Sequence, residues 1–181
     1  MIESLYEVLR LVDGDRTPTM GLVYAKLEVA KKRIIAASAK YAHMLIDIVE
    51  DSWDRQMSRD LHMTAYYLHP GFQHEDELAY RDDLLGAVTS VVDRMSRNHE
   101  KAAAALNELK YFREGIGSFG DPSAIASRQK LDPGEWWLSY GRSLTTLREI
   151  TIRVLSQTSS SSGCERNNWS TFALIHTKMR N

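Results

Sequence analysis

The sequence predicts a mainly α-helical protein. Apolar residues recur at intervals of three and four along most of the chain, as on one face of a helix. Neither the alternating pattern of half-buried strands nor a βα unit is visible. The chain has 181 residues, of which 43% are hydrophobic and 26% charged. That balance is typical of a globular protein of one domain, or of one domain with a small appendage.

Charge and cysteine content exclude several classes of protein. The net charge is −1, so no overall basic field attracts nucleic acid. Cys164 is the single cysteine, which excludes an internal disulfide framework and a cysteine-based zinc finger. No apolar run reaches the roughly 20 residues that span a bilayer, and the first residues lack the pattern of a signal peptide. We therefore expect no membrane partner.

Two helices are predicted at the start of the chain. The first covers residues 2–12, and Asp13-Gly14-Asp15 ends it. Thr17-Pro18 then predicts a new helix, with a cap and a proline in its first turn. Its apolar positions are Leu22, Leu27, Ile34 and Ile35. The triplet Lys31-Lys32-Arg33 indicates a solvated face, and contact with DNA phosphate is the alternative.

Four further helical segments follow before a break. Residues 40–57 form a helix whose predicted apolar face consists of Tyr41, Met44, Leu45, Ile48 and Trp53. Residues 61–68 form a short apolar segment that His69-Pro70-Gly71 ends. Residues 77–97 form a long helix, since its length outweighs its β-branched residues. Residues 102–112 are rich in alanine, the strongest helix former.

The C-terminal part begins after a break rich in glycine. Glycines and Pro122 over 115–122 indicate flexibility, and Asp132-Pro133 predicts a capped helix start. Trp136 and Trp137 lie in that helix, and a leucine-spaced helix follows over 144–155. A last helix is expected from about residue 168. The two tryptophans are favoured as core or interface residues, and stacking on nucleic-acid bases is the alternative.

Three smaller features have ordinary interpretations. His69 and His74 flank a turn near Glu75 and Asp76, but their spacing matches no zinc pattern. The run Ser159 to Ser162 lacks the sequence of a nucleophile elbow and is expected to be a loop. Cys164 is expected to be a small packing residue rather than a reactive thiol.

Several motifs in order resemble the C-terminal region of plant hAT-family transposases. Near the end of the chain they are the tryptophan pair, the helix 144–155, the serine-rich turn and Glu165-Arg166 before Trp169-Ser170. Residues 6–15, with Pro18-Thr19-Met20-Gly21, resemble the helical region that precedes this tail. Leu61-His62 and residues 65–70 resemble a third element, although His69 stands where asparagine is usual.

The resemblance implies a specific domain organisation. Residues 1–120 would correspond to the helical insertion of the family's RNase H-like core, residues 121–131 to a linker and residues 132–181 to the dimerisation region. The fold would then be a helical remnant of an RNase H-like transposase. In the complete family enzyme two aspartates and a glutamate hold Mg²⁺ for DNA strand cleavage. The glutamate maps onto Glu165, and both aspartates would lie upstream of this sequence.

From this resemblance we expect a dimerising fragment that is not an enzyme by itself. One carboxylate binds Mg²⁺ poorly, so we expect Glu165 to be inactive alone, with no metal or cofactor bound. The family pattern has one residue between Arg166 and the aromatic residue, whereas Asn167-Asn168 places two before Trp169. In a helix, one extra residue would turn Glu165 by about 100° relative to Trp169. The expected dimerisation surface is Trp136, Trp137, Tyr140, Leu144, Leu147, Ile150, Val154 and Leu155, with Trp169 and Phe172.

The expected partner is a second copy or a related hAT protein, with DNA contact only through segments outside this sequence. The family also implies a nuclear location, with the cytoplasm as the alternative. Two other functions stay open at this point. One is an active subunit that cleaves DNA once two aspartates are supplied. The other is a helical adaptor without a nucleic-acid role.

Overall fold

The computed structural model of the chain describes residues 2–12, 18–37, 42–56, 60–73 and 78–159. These residues are mainly helical and contain no β-strand, as the sequence predicts. The α-helices are α1 (Ile2–Val12), α2 (Met20–Ala37), α3 (Ala42–Gln56), α4 (Asp60–Tyr67), α5 (Asp82–Met95), α6 (His99–Arg113), α7 (Pro122–Ser127), α8 (Pro133–Tyr140) and α9 (Thr145–Leu155). Short 3₁₀ helices occupy Leu78–Tyr80 and Gly117–Gly120.

Of two helix starts predicted from the sequence, that of α8 is confirmed and that of α2 is wrong. Asp132 caps α8 as predicted, because its carboxylate accepts hydrogen bonds from the N–H groups of Gly134 and Glu135. The start of α2 differs from the prediction. The Thr19 carbonyl accepts from the N–H groups of Leu22 and Val23, so Pro18 precedes the helix instead of lying in its first turn.

The predicted helix over residues 77–97 is divided in two. The 3₁₀ helix Leu78–Tyr80 ends before Arg81, whose extended backbone precedes α5. Arg81 binds Asp83 in the first turn of α5 and donates to the Tyr24 hydroxyl of α2 at 3.0 Å. This hydrogen bond holds the break at Arg81 against α2. Because it joins residues far apart in the sequence, the spacing of apolar residues cannot predict the break.

The segment predicted as a linker, 121–131, contains a helix. α7 occupies Pro122–Ser127, and Ala124 within it is completely buried. The backbone does turn sharply just before it, because Gly115 and Gly117 have φ angles of +63° and +68°. Residues on both sides of the segment share one hydrophobic core, so no boundary between separate cores lies here among the described residues.

The main core is formed by α2, α4, α5, α6, α8 and α9. Its fully buried side chains include Tyr67 of α4, Leu84 and Val88 of α5, and Leu147 of α9. α4 packs against both α2 and α5, which places it at the centre of the molecule. Among the described residues, we find no helix that combines the length and the hydropathy of a membrane span.

α1 and α3 are more peripheral than the helices of this core. Val8 of α1 packs on Val23 and Ala30 of α2 in a small separate cluster. The predicted apolar face of α3 is partly wrong, since Met44 and Ile48 are 57% and 56% exposed. α3 instead presents buried Ala42 and neighbouring half-buried side chains towards α2. Tyr41 and the side chain of Trp53 lie outside the described residues.

Candidate functional site

The tryptophan pair lies at the centre of an aromatic cluster. Asp132 and Pro133 start α8 so that Trp136 and Trp137 both face the core. The Trp136 ring stacks on Phe119, with 5.5 Å between ring centroids and 20° between planes. The Trp137 ring lies 4.6 Å from that of Phe112. Both indoles are completely buried, so neither has a face available for a nucleic-acid base.

Each indole N–H has a backbone partner, which satisfies its hydrogen-bonding capacity inside the core. Trp136 Nε1 donates to the Ala124 carbonyl of α7 at 3.0 Å. Trp137 Nε1 donates to the Leu68 carbonyl at the end of α4, at 2.9 Å. The two adjacent tryptophans therefore attach α8 to two different parts of the molecule.

The predicted dimerisation surface is not a surface of the folded chain. Among the eight of its side chains that the structure describes, only Tyr140 is half-exposed. The other seven are at most 4% exposed: Trp136, Trp137, Leu144, Leu147, Ile150, Val154 and Leu155. They are buried because α8 and α9 pack on each other and on α4 and α6 of the same chain. Trp169 and Phe172 lie outside the described residues.

α9 is fixed at its start by a contact from α6. The Glu108 carboxylate accepts a hydrogen bond of 2.7 Å from the backbone N–H of Leu147. First-turn N–H groups lack partners within their own helix, so an acceptor from a neighbouring helix stabilises this end. Sequence analysis missed this role of Glu108, because nothing in its local pattern distinguishes it from the other acidic residues of the chain.

The first residue of the serine-rich run is held by a buried polar cluster. The Ser159 hydroxyl lies 2.8 Å from Thr19 Oγ1, which also accepts from the Ser159 backbone N–H at 3.1 Å. His62 Nε2 lies 3.3 Å from the Ser159 carbonyl oxygen. The N–H of Met20 donates to the carbonyl of Gln157 at 3.3 Å. The chain is therefore fixed at residue 159 against the start of α2 and against α4.

The residues predicted to carry chemistry follow this point. Glu165 is six positions after Ser159, and Cys164 precedes it. Both lie outside the described residues, as does the Asn167-Asn168 pair. Within the described residues, no three histidine, cysteine, aspartate or glutamate side chains cluster in a way that could hold a metal ion.

His69 is a neutral residue of the turn after α4. Its ring packs on Phe72 at 4.4 Å, and its Nδ1 accepts a hydrogen bond of 3.1 Å from the N–H of Gly71. Burial lowers the pKa of His69 to about 4, against a small opposing effect of Asp132. Because Nδ1 is engaged within the turn, its geometry indicates a structural role. His74 lies outside the described residues.

Tyr67 and its polar neighbours form a second cluster that sequence analysis missed. Burial raises the pKa of the Tyr67 phenol, and the Arg113 and Gln73 side chains partly offset this shift. The Arg113 guanidinium also lies 5.6 Å from the centre of the Tyr80 ring. Tyr67 lies in an apolar segment and Gln73 follows a turn, and neither position predicts from the sequence that Tyr67 contacts Gln73 and Arg113.

Comparison with known proteins leaves the family open. No family model, curated protein or solved structure matches this chain. The resemblance to hAT transposases therefore stays a prediction, carried by the motifs in the sequence. What the chain does has to be inferred from its own contacts and exposed surfaces.

Proposed function

We propose that this chain is a self-associating helical region derived from an hAT-family transposase, with no complete catalytic site in these 181 residues. Its fold would be a remnant of the helical part of an RNase H-like transposase, and its partner a second copy or a related protein. The observation that carries the proposal is the mutual contact of the three stretches that resemble the family.

Two buried contacts join these stretches. Trp137 of the tail binds the carbonyl of Leu68, which belongs to the Leu61-to-Pro70 element. Ser159, the first residue of the serine-rich turn, binds Thr19 of the N-terminal stretch. The partners in the second contact are 140 positions apart in the sequence. The residues that carry the resemblance therefore support one another within a single folded unit.

The described surface also supports self-association. Half of its strongly exposed large apolar side chains lie on the first three helices: Tyr6, Leu9, Val29, Ile35, Met44 and Ile48. Exposed apolar side chains that share a helix face favour burial against another protein. Since the residues predicted for the interface are buried within the chain, association has to use a different surface, and α1–α3 supply one.

Sedimentation velocity of the purified chain over a concentration series tests this proposal. We expect the mean mass to rise above the 20.6 kDa of one chain as concentration increases. Ile125→Ala, which shortens an exposed side chain on α7 far from the first three helices in sequence, is the control and should leave the association unchanged. A mass of one chain at every concentration would exclude self-association.

DNA strand cleavage is the second candidate function, and one observation favours it. Its support is the resemblance that maps the family's third carboxylate onto Glu165, six positions after the fixed residue Ser159. Nicking of supercoiled DNA by the purified chain with Mg²⁺ tests it. Cleavage that Glu165→Gln abolishes would establish catalysis and contradict the first proposal's lack of a complete site.

A further inference from the structure

We draw no further inference here: the strongest candidate, the polar cluster at the end of α4 in which the Gln73 amide and Arg113 Nε lack hydrogen-bond partners among the described residues, carries no binding site because the protein encloses these atoms and leaves no space beside them for a ligand.

Discussion

Trp137 and Leu68 are 69 positions apart, yet the indole N–H of Trp137 donates to the Leu68 carbonyl at 2.9 Å. The contact joins α8 to the last turn of α4, and both residues are completely buried. The Leu68 carbonyl lies where α4 ends, so no later residue of that helix can donate an N–H to it in the regular pattern. The tryptophan side chain thus completes the end of a helix in another part of the chain.

Replacement of Trp137 by phenylalanine should destabilise the protein by about 2–4 kcal/mol. The phenyl ring is smaller than the indole and leaves a cavity, and the Leu68 carbonyl loses its buried partner. Urea unfolding followed by circular dichroism measures the change. Leu138→Ala is the matched control on the next position of α8, because its side chain is 47% exposed and its loss should cost less than about 0.5 kcal/mol. Equal losses in the two variants would contradict this account of α8.

Helix positions were largely predictable because they depend on local signals. The bounds of α1 match the predicted range, and the Asp132 cap of α8 is confirmed, since both follow from spacing and capping within a few residues. Whether an apolar helix face packs within its own chain or against another chain was not predictable in the same way. An apolar stripe has the same sequence pattern whether it packs inside its own chain or against another, so Trp136 and Leu147 could be assigned wrongly to a surface.

Contacts between residues far apart in the sequence could not be predicted. Thr19 and Ser159 are common polar residues in a helix start and a serine-rich run, and their pairing depends on the path of all the helices between them. The exposure of Met44 and Ile48 was also missed, because their spacing fits a buried face equally well. Which side of α3 is buried depends on where α2 lies, and the residues of α3 do not contain that information.

Thr19→Val should cost about 1–3 kcal/mol, because it leaves the buried N–H of Ser159 without its acceptor and the Ser159 hydroxyl without its Thr19 partner. Ser159→Ala should cost less, since the backbone N–H keeps its bond to Thr19. A double-mutant cycle on the two should show a coupling of about 1 kcal/mol. In the control cycle, Thr19→Val combined with Ser127→Ala on α7 should be additive within about 0.5 kcal/mol. Additivity of the two substitutions would show that the contact between the two hydroxyl groups contributes nothing to stability.

Acid should destabilise the protein partly through His69. Its pKa is about 4 in the folded chain and 6.5 ordinarily, so the unfolded chain binds the proton more tightly. The contribution of neutral His69 to the free energy of unfolding is therefore fully present above pH 6.5 and is lost as the pH falls towards 4. Between pH 7 and pH 4.5 the loss from this residue should be up to about 2 kcal/mol.

His69→Asn is the variant that isolates this effect. Asparagine suits the same turn and does not titrate, so the variant should lose less unfolding free energy between pH 7 and pH 4.5 than the wild type. Denaturant unfolding of both proteins at both pH values measures these losses. The other histidines contribute equally to the two losses, so their contribution cancels in the difference. Identical losses in the two proteins would show that His69 is protonated as easily in the folded chain as in the unfolded one.

The same substitution at two helical glycines should have opposite effects. At Gly21 of α2, an added Cβ would lie 2.9 Å from the Ala65 carbonyl oxygen and 3.0 Å from His69 Cδ2. Gly21→Ala should therefore force α2 away from α4 and cost about 1–3 kcal/mol. At Gly86, exposed in α5, a Cβ meets no atom within 4 Å, so Gly86→Ala should stabilise by about 0.5–1 kcal/mol through helix propensity. Thermal unfolding of both variants measures the two signs, and a Gly21→Ala protein as stable as the wild type would mean that α2 and α4 are not held this close.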